Sequence, residues 1–116
     1  RDWARIGQFF LQKGKWEGRQ LLPEGWIQYC TTPTPASEGQ YGAQIWLNPG
    51  TSGNEDIKRS YPRLPDSMFY LSGFNLQRVA VFPENDLVIV RLGVTHNREK
   101  AFDFGRFAAM VLEGVG

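Results

Sequence analysis

Apolar residues fall at Trp3, Ile6 and Phe10, a spacing of three and then four that puts one stripe along a helix. Gly14 after Lys13 offers a C-terminal cap, so the spacing predicts a helix over residues 2–13. Gly14 and Gly18 flank Trp16 and mark a tight turn, after which Pro23 stands at a first helical position with Glu24 behind it. A short helix over 23–30 is expected, with Trp26, Ile27 and Cys30 facing inward. Thr31 to Gly39 is rich in residues that break regular structure, and Tyr41 to Leu47 then takes on strand character. Residues 49–66 read as a long loop, either a functional lid or an insertion.

The texture changes at Ser67. Three runs rich in β-branched and aromatic residues, 67–73, 76–82 and 87–94, are separated by Phe74-Asn75 and by Pro83-Glu84-Asn85-Asp86. They predict an antiparallel meander. The third run is apolar at nearly every position, which predicts a central strand covered on both faces. Ala101, Phe104, Ala108, Val111 and Leu112 then share one face of a helix expected over 98–113, with Asn97 as its cap. The expected class is α+β, a three-stranded antiparallel sheet with flanking helices, one sheet face being left without an obvious cover. The four tryptophans are expected to serve mainly as core.

Composition narrows the chemistry. Thirteen basic and 12 acidic side chains are scattered without blocks, so no basic face for nucleic acid is expected. No apolar run, Leu87 to Val90 included, comes near the roughly 20 residues of a membrane span. One cysteine, Cys30, and one histidine, His96, supply no metal-ligand cluster. No metal and no cofactor are expected; Cys30 reads as a buried spectator thiol and His96 as an exposed turn residue. Arg1 opens the chain at the edge of a helix, and the expectation is a piece of a longer protein.

The order of parts resembles the C-terminal portion of the serine hydrolases that include class C β-lactamases, penicillin-binding proteins and related esterases and amide hydrolases. The residues that carry the resemblance are Arg1 to Phe9, Leu22 to Trp26, Tyr41-Gly42 leading to Trp46-Leu47-Asn48, Phe69 to Asn75, and Phe82 to Val90. In that family a serine and a lysine from an S-x-x-K motif provide nucleophile and base. No serine of this chain has a lysine three positions on, and Ser52-Gly53-Asn54 reads as turn chemistry. The resemblance therefore implies that the chain is inactive alone.

What the resemblance carries over is the third motif, on the strand that lines the active site, occupied here by Leu71-Ser72-Gly73. It implies a substrate-binding edge made of Leu71, Ser72, Gly73 and Asn75, glycine leaving room for substrate along the strand. It also implies an oxyanion-hole donor in the backbone N–H of Phe74. Leu71 departs from the usual lysine or histidine, which points toward small esters or amides rather than β-lactams. Leu76 stands where short-loop relatives have glycine. Ser72 and Arg78 are read first as structural residues, Arg78 on the face opposite Val79 and Val81, while Tyr41 and Tyr61 are placed to touch a ligand. The implied partners are an ester, amide or β-lactam substrate, and either a second copy or the missing N-terminal part. Relatives are often exported to the periplasm. The competing reading is a binding or assembly domain without chemistry.

Overall fold

The computed structural model describes residues 1–48 and 60–116. Helix α1 (Asp2–Leu11) is followed by a hairpin of β1 (Lys15–Trp16) and β2 (Arg19–Gln20), then by helix α2 (Trp26–Cys30). Strands β3 (Trp46–Leu47), β4 (Phe69–Gly73), β5 (Gln77–Phe82) and β6 (Leu87–Arg91) come next, and helix α3 (Phe104–Val115) closes the chain. The class is α+β. The main sheet has four strands in the order β3-β4-β5-β6, all neighbours antiparallel, so the meander expected with three strands gains a fourth. Its source is the 41–47 run, which folds back on itself. Tyr41 bridges Trp46, the Gly42 N–H donates to the Ile45 carbonyl, and Gln44 turns at φ 64.

β6 lies at the end of the strand order and not in its centre. Its apolar character has another cause: helices lie against both of its faces. On one face α3 seats Phe104 and Ala108 against Tyr70, Ala80, Phe82 and Ile89. On the other, the face left without an obvious cover by the sequence, α1 crosses β5 and β6. The crossing is close because Gly7 meets the sheet. A Cβ there would stand 2.4 Å from Val88 Cγ1 and 3.0 Å from Val79 Cγ1. α2 adds Ile27 and Cys30 to the same layer, packed with Ile45, Leu47, Phe69 and Val81.

The close approach at Gly7 also explains why Trp3 and Ile6 of the stripe do not bury as expected, while Phe10 is half-buried against Phe69. With glycine on the contact line, Trp3 and Ile6 flank it and stay 50% and 38% exposed. Trp26 likewise turns outward and pairs with Tyr29, at 5.4 Å between ring centroids, while Ile27 and Cys30 face in. Trp46 is exposed too, and Trp16 is half-buried, so the tryptophans are not the core. The space between layers is filled instead by Phe69, Phe82, Phe104 and the small Gly7, Ala80 and Ala108.

Element ends differ from the sequence reading for local reasons. α1 stops at Leu11 because both Lys13 and Gly14 take left-handed angles, φ 56 and 84. α2 begins only after Gly25, at φ 87. α3 begins at Phe104, capped by Asp103, whose Oδ1 accepts from the Arg106 N–H at 2.9 Å. Asn97 caps a separate short 3-10 turn instead, accepting from the Glu99 N–H at 2.9 Å. Of the long loop expected over 49–66, residues 49–59 lie outside the described residues. Its later part is anchored by Asn48, which is wholly buried and hydrogen-bonds to Tyr61, Leu64 and Pro65. No helix among the described residues is long and apolar enough to cross a membrane.

Candidate functional site

β4 is the strand on which the sequence places the site. Among the described residues β3 pairs only with its first two positions, Trp46 with Tyr70 and Leu47 with Phe69. Among the described residues Leu71, Ser72 and Gly73 therefore have β5 on one side and no strand on the other. The Asn48 N–H donates to the Met68 carbonyl at 3.2 Å, so Met68 turns its carbonyl toward the β3 side. Peptide groups alternate along a strand, which aims the N–H and C=O of Ser72 at the free side.

Beside this edge, on the α1 face, lies a cavity of about 540 Å³ lined by Trp3, Leu71, Gly73, Gln77, Val79 and Leu92, among others. The wall is almost entirely apolar. Ser72, Arg78, Gly93 and Val94 complete the lining. None of the lining residues is a lysine, histidine or carboxylate, so Ser72 has no general base beside it there. The structure thus brings Leu71, Ser72 and Gly73 together at one edge, with Trp3 of α1 across from them.

Phe74 and Asn75 lie in the β4–β5 turn. Phe74 is 87% exposed, and Asn75 and Leu76 both sit in the left-handed region, at φ 58 and 65. Leu76 thus adopts a conformation that glycine takes without strain. Gly73 has a packing reason of its own: a Cβ would stand 3.0 Å from the Cβ of Gln77, its cross-strand partner. The turn is tied from β6. Arg91 Nη1 donates to the Asn75 carbonyl at 2.9 Å and to the Leu76 carbonyl at 3.1 Å. Gln77 and Gly93 exchange two bonds, Gln77 Nε2 donating to the Gly93 carbonyl and the Gly93 N–H donating to Gln77 Oε1.

Arg78 points to the α3 face, as alternation requires. Its Nε donates to the Tyr61 hydroxyl at 3.1 Å, its Nη1 to the Gln77 carbonyl at 2.9 Å, and its guanidinium lies 5.6 Å from the Tyr70 ring centre. Tyr61 therefore packs into that layer, 5.3 Å from Tyr70 and 5.5 Å from Phe104 by ring centroids. Tyr41 packs on Trp46 at 4.7 Å. Burial pushes the Tyr70 phenol above its ordinary range, with a hydrogen bond to Ser60 working the other way. Burial also raises the Cys30 thiol, which keeps it a weak nucleophile. His96 is exposed. Ser52-Gly53-Asn54 lies outside the described residues. Among the described residues no three His, Cys, Asp or Glu side chains come together as a metal site.

The sequence reading passed over Arg91, Gln77 and Asn48. Arg91 carried a signal: it is the charged residue that ends the otherwise apolar Leu87 to Val90 run.

No family model and no curated protein matches the sequence. Among solved structures, the chain is similar to a provisionally named 6-aminohexanoate-dimer hydrolase from Bacillus anthracis, with a TM-score of 0.61 and 22% identity. The match covers 98% of this chain and 29% of that one. The likeness is one of fold, to less than a third of a larger hydrolase chain.

Proposed function

We propose that this chain is the C-terminal segment of a β-lactamase-related serine hydrolase that works by acyl transfer on an uncharged ester or amide. The observation that carries the reading is the free edge of Leu71, Ser72 and Gly73 beside an apolar cavity. The likeness in fold to part of a chain named for hydrolysing a 6-aminohexanoate dimer supports it. So does the order of motifs from Arg1 to Val90.

In this reading a serine supplied by the rest of the protein attacks the substrate carbonyl through its Oγ, its proton passing to a neighbouring base. The carbonyl oxygen gains the charge and is held by two N–H donors, that of Phe74 and that of the nucleophile itself. The C–N or C–O bond breaks, the leaving amine or alcohol takes the proton, and water then releases the acid from the acyl-enzyme. Ser72 offers its backbone groups to the substrate along the edge, and Gly73 leaves that approach open. Asn75 meets the substrate from the turn that follows the edge. Leu71, where relatives carry a cation, gives no charge to a substrate carboxylate and favours neutral substrates over β-lactams. The nucleophile-bearing part of the enzyme packs beside the apolar cavity next to the edge, and that packing covers its apolar wall.

The test is turnover of p-nitrophenyl butyrate and nitrocefin. Residues 1–116 alone are expected to turn over neither, and the protein with its upstream part is expected to hydrolyse the ester faster than nitrocefin. Serine-dependent turnover by residues 1–116 alone contradicts the reading. An upstream part that lacks any S-x-x-K sequence favours the binding or assembly domain.

A further inference from the structure

The β4–β5 turn holds two adjacent residues other than glycine at positive φ, Asn75 at 58 and Leu76 at 65. For asparagine this is common, but for leucine it is strained, and such a conformation persists only where its surroundings enforce it. The enforcing group is visible. The carbonyls of these two residues are the ones that accept from Arg91 Nη1, at 2.9 and 3.1 Å.

Arg91 is itself held from two further sides. Its Nη2 donates to Thr95 Oγ1 at 3.1 Å, and its guanidinium lies 4.9 Å from the centre of the Phe102 ring. Gly93 leaves the space it occupies, since a Cβ there would stand 3.0 Å from Arg91 Cζ and 3.1 Å from Nη2. A planar guanidinium reaches the turn and Thr95 at once through two nitrogens, which a lysine ammonium on a flexible stem does not reproduce. The turn it holds begins at Phe74, immediately before the first left-handed residue.

We infer that Arg91 is a positioning residue, acting through the turn to hold the Phe74 N–H in the orientation an oxyanion donor requires. The inference rests on the hydrolase reading above. In the full-length protein, Arg91→Lys is expected to lower kcat for p-nitrophenyl butyrate about 10²-fold, the scale of losing one oxyanion donor, with KM nearly unchanged. Added guanidinium ion is expected to restore part of the kcat of Arg91→Ala. Leu76→Gly is expected to recover part of the Arg91→Lys loss, because glycine adopts the turn without strain. In isotope-labelled protein, the amide resonances of Phe74, Asn75 and Leu76 should move in Arg91→Lys while those of Ala108 and Met110 in α3 stay in place.

Turn resonances that stay in place, or a loss carried by KM rather than kcat, overturn the inference. So does an Arg91→Lys protein with wild-type kcat. A wild-type protein without ester turnover contradicts the hydrolase reading instead, and the amide resonances then decide by themselves whether Arg91 holds the turn.

Discussion

Gly42→Ala is expected to be the most damaging Gly→Ala change among the glycines whose surroundings are described, costing about 4 kcal/mol or more of stability. The cause is contact with backbone, which cannot rotate away. A Cβ at Gly42 would stand 2.0 Å from the Cys30 carbonyl oxygen, 3.0 Å from its carbon and 3.2 Å from the Thr32 carbonyl oxygen. The Cys30 carbonyl is already committed, accepting from the Ala43 N–H at 3.0 Å, and the Gly42 N–H donates to the Ile45 carbonyl at 2.8 Å. To admit the methyl group, the end of α2 and the segment leading to β3 must part, breaking both bonds and opening the layer that holds Ile27, Cys30 and Ile45. Urea denaturation of the wild type and the variant measures the loss. Gly18→Ala is the control, because nothing lies within 4 Å of the added methyl and only its positive φ of 77 counts against it. That control should lose about 1 kcal/mol. Equal losses in the two variants would mean that the close approach at Gly42 is not what matters.

Asn48→Ala is the second large effect, expected at about 3 kcal/mol. The side chain is wholly buried. Its Nδ2 donates to the carbonyls of Tyr61 at 3.0 Å, Pro65 at 3.1 Å and Leu64 at 3.3 Å, and its Oδ1 accepts from the Tyr61 N–H at 3.0 Å. Alanine takes away the partner of the Leu64 carbonyl and of the Tyr61 N–H, while the Tyr61 and Pro65 carbonyls keep the N–H groups of Leu64 and Met68, and losing a partner at a buried polar group costs more than the bond itself contributes. Asn48→Asp matches the shape but replaces the donor with an acceptor facing three carbonyls, so it should be no better than alanine. The same denaturation experiment reads both. An aspartate variant as stable as the wild type would show that the donor side of Asn48 contributes nothing.

These two positions bear on what could be read from the sequence. Both belong to stretches that carried the family resemblance, Tyr41-Gly42 and Trp46-Leu47-Asn48. Their chemistry, however, depends on partners far along the chain, which no local pattern displays. The meander and the two long helices were legible because their apolar periodicities are local, and the turns at Phe74-Asn75 and Pro83 to Asp86 are marked by residue type. The role of α1 was not. Periodicity pointed to Trp3, Ile6 and Phe10, yet the contact line runs through Gly7, whose lack of a side chain sets the approach to Val79 and Val88. For the same reason the cover of the second sheet face was not visible in the apolar pattern.

At the candidate site, Leu71, Ser72 and Gly73 were singled out by their place in a motif order, and among the described residues they lie on an edge that β3 leaves unpaired, beside an apolar cavity. Arg91 was missed because its role appears only once β6 lies near the turn it holds. The left-handed Leu76 had a sequence signal, a leucine where short-loop members of the family it resembles usually have glycine. The strain is legible in the sequence, whereas the group that enforces it appears only in three dimensions.

In the function proposed above, this segment provides the substrate edge while the nucleophile lies elsewhere in the protein. Reaction of the full-length protein with an alkyl fluorophosphonate, followed by mass analysis of its peptides, locates that nucleophile. The expected result is a single phosphonyl group on a serine outside residues 1–116, with loss of ester turnover. A phosphonyl group on Ser72 or another serine within residues 1–116, or an active protein that takes up none, would contradict the account.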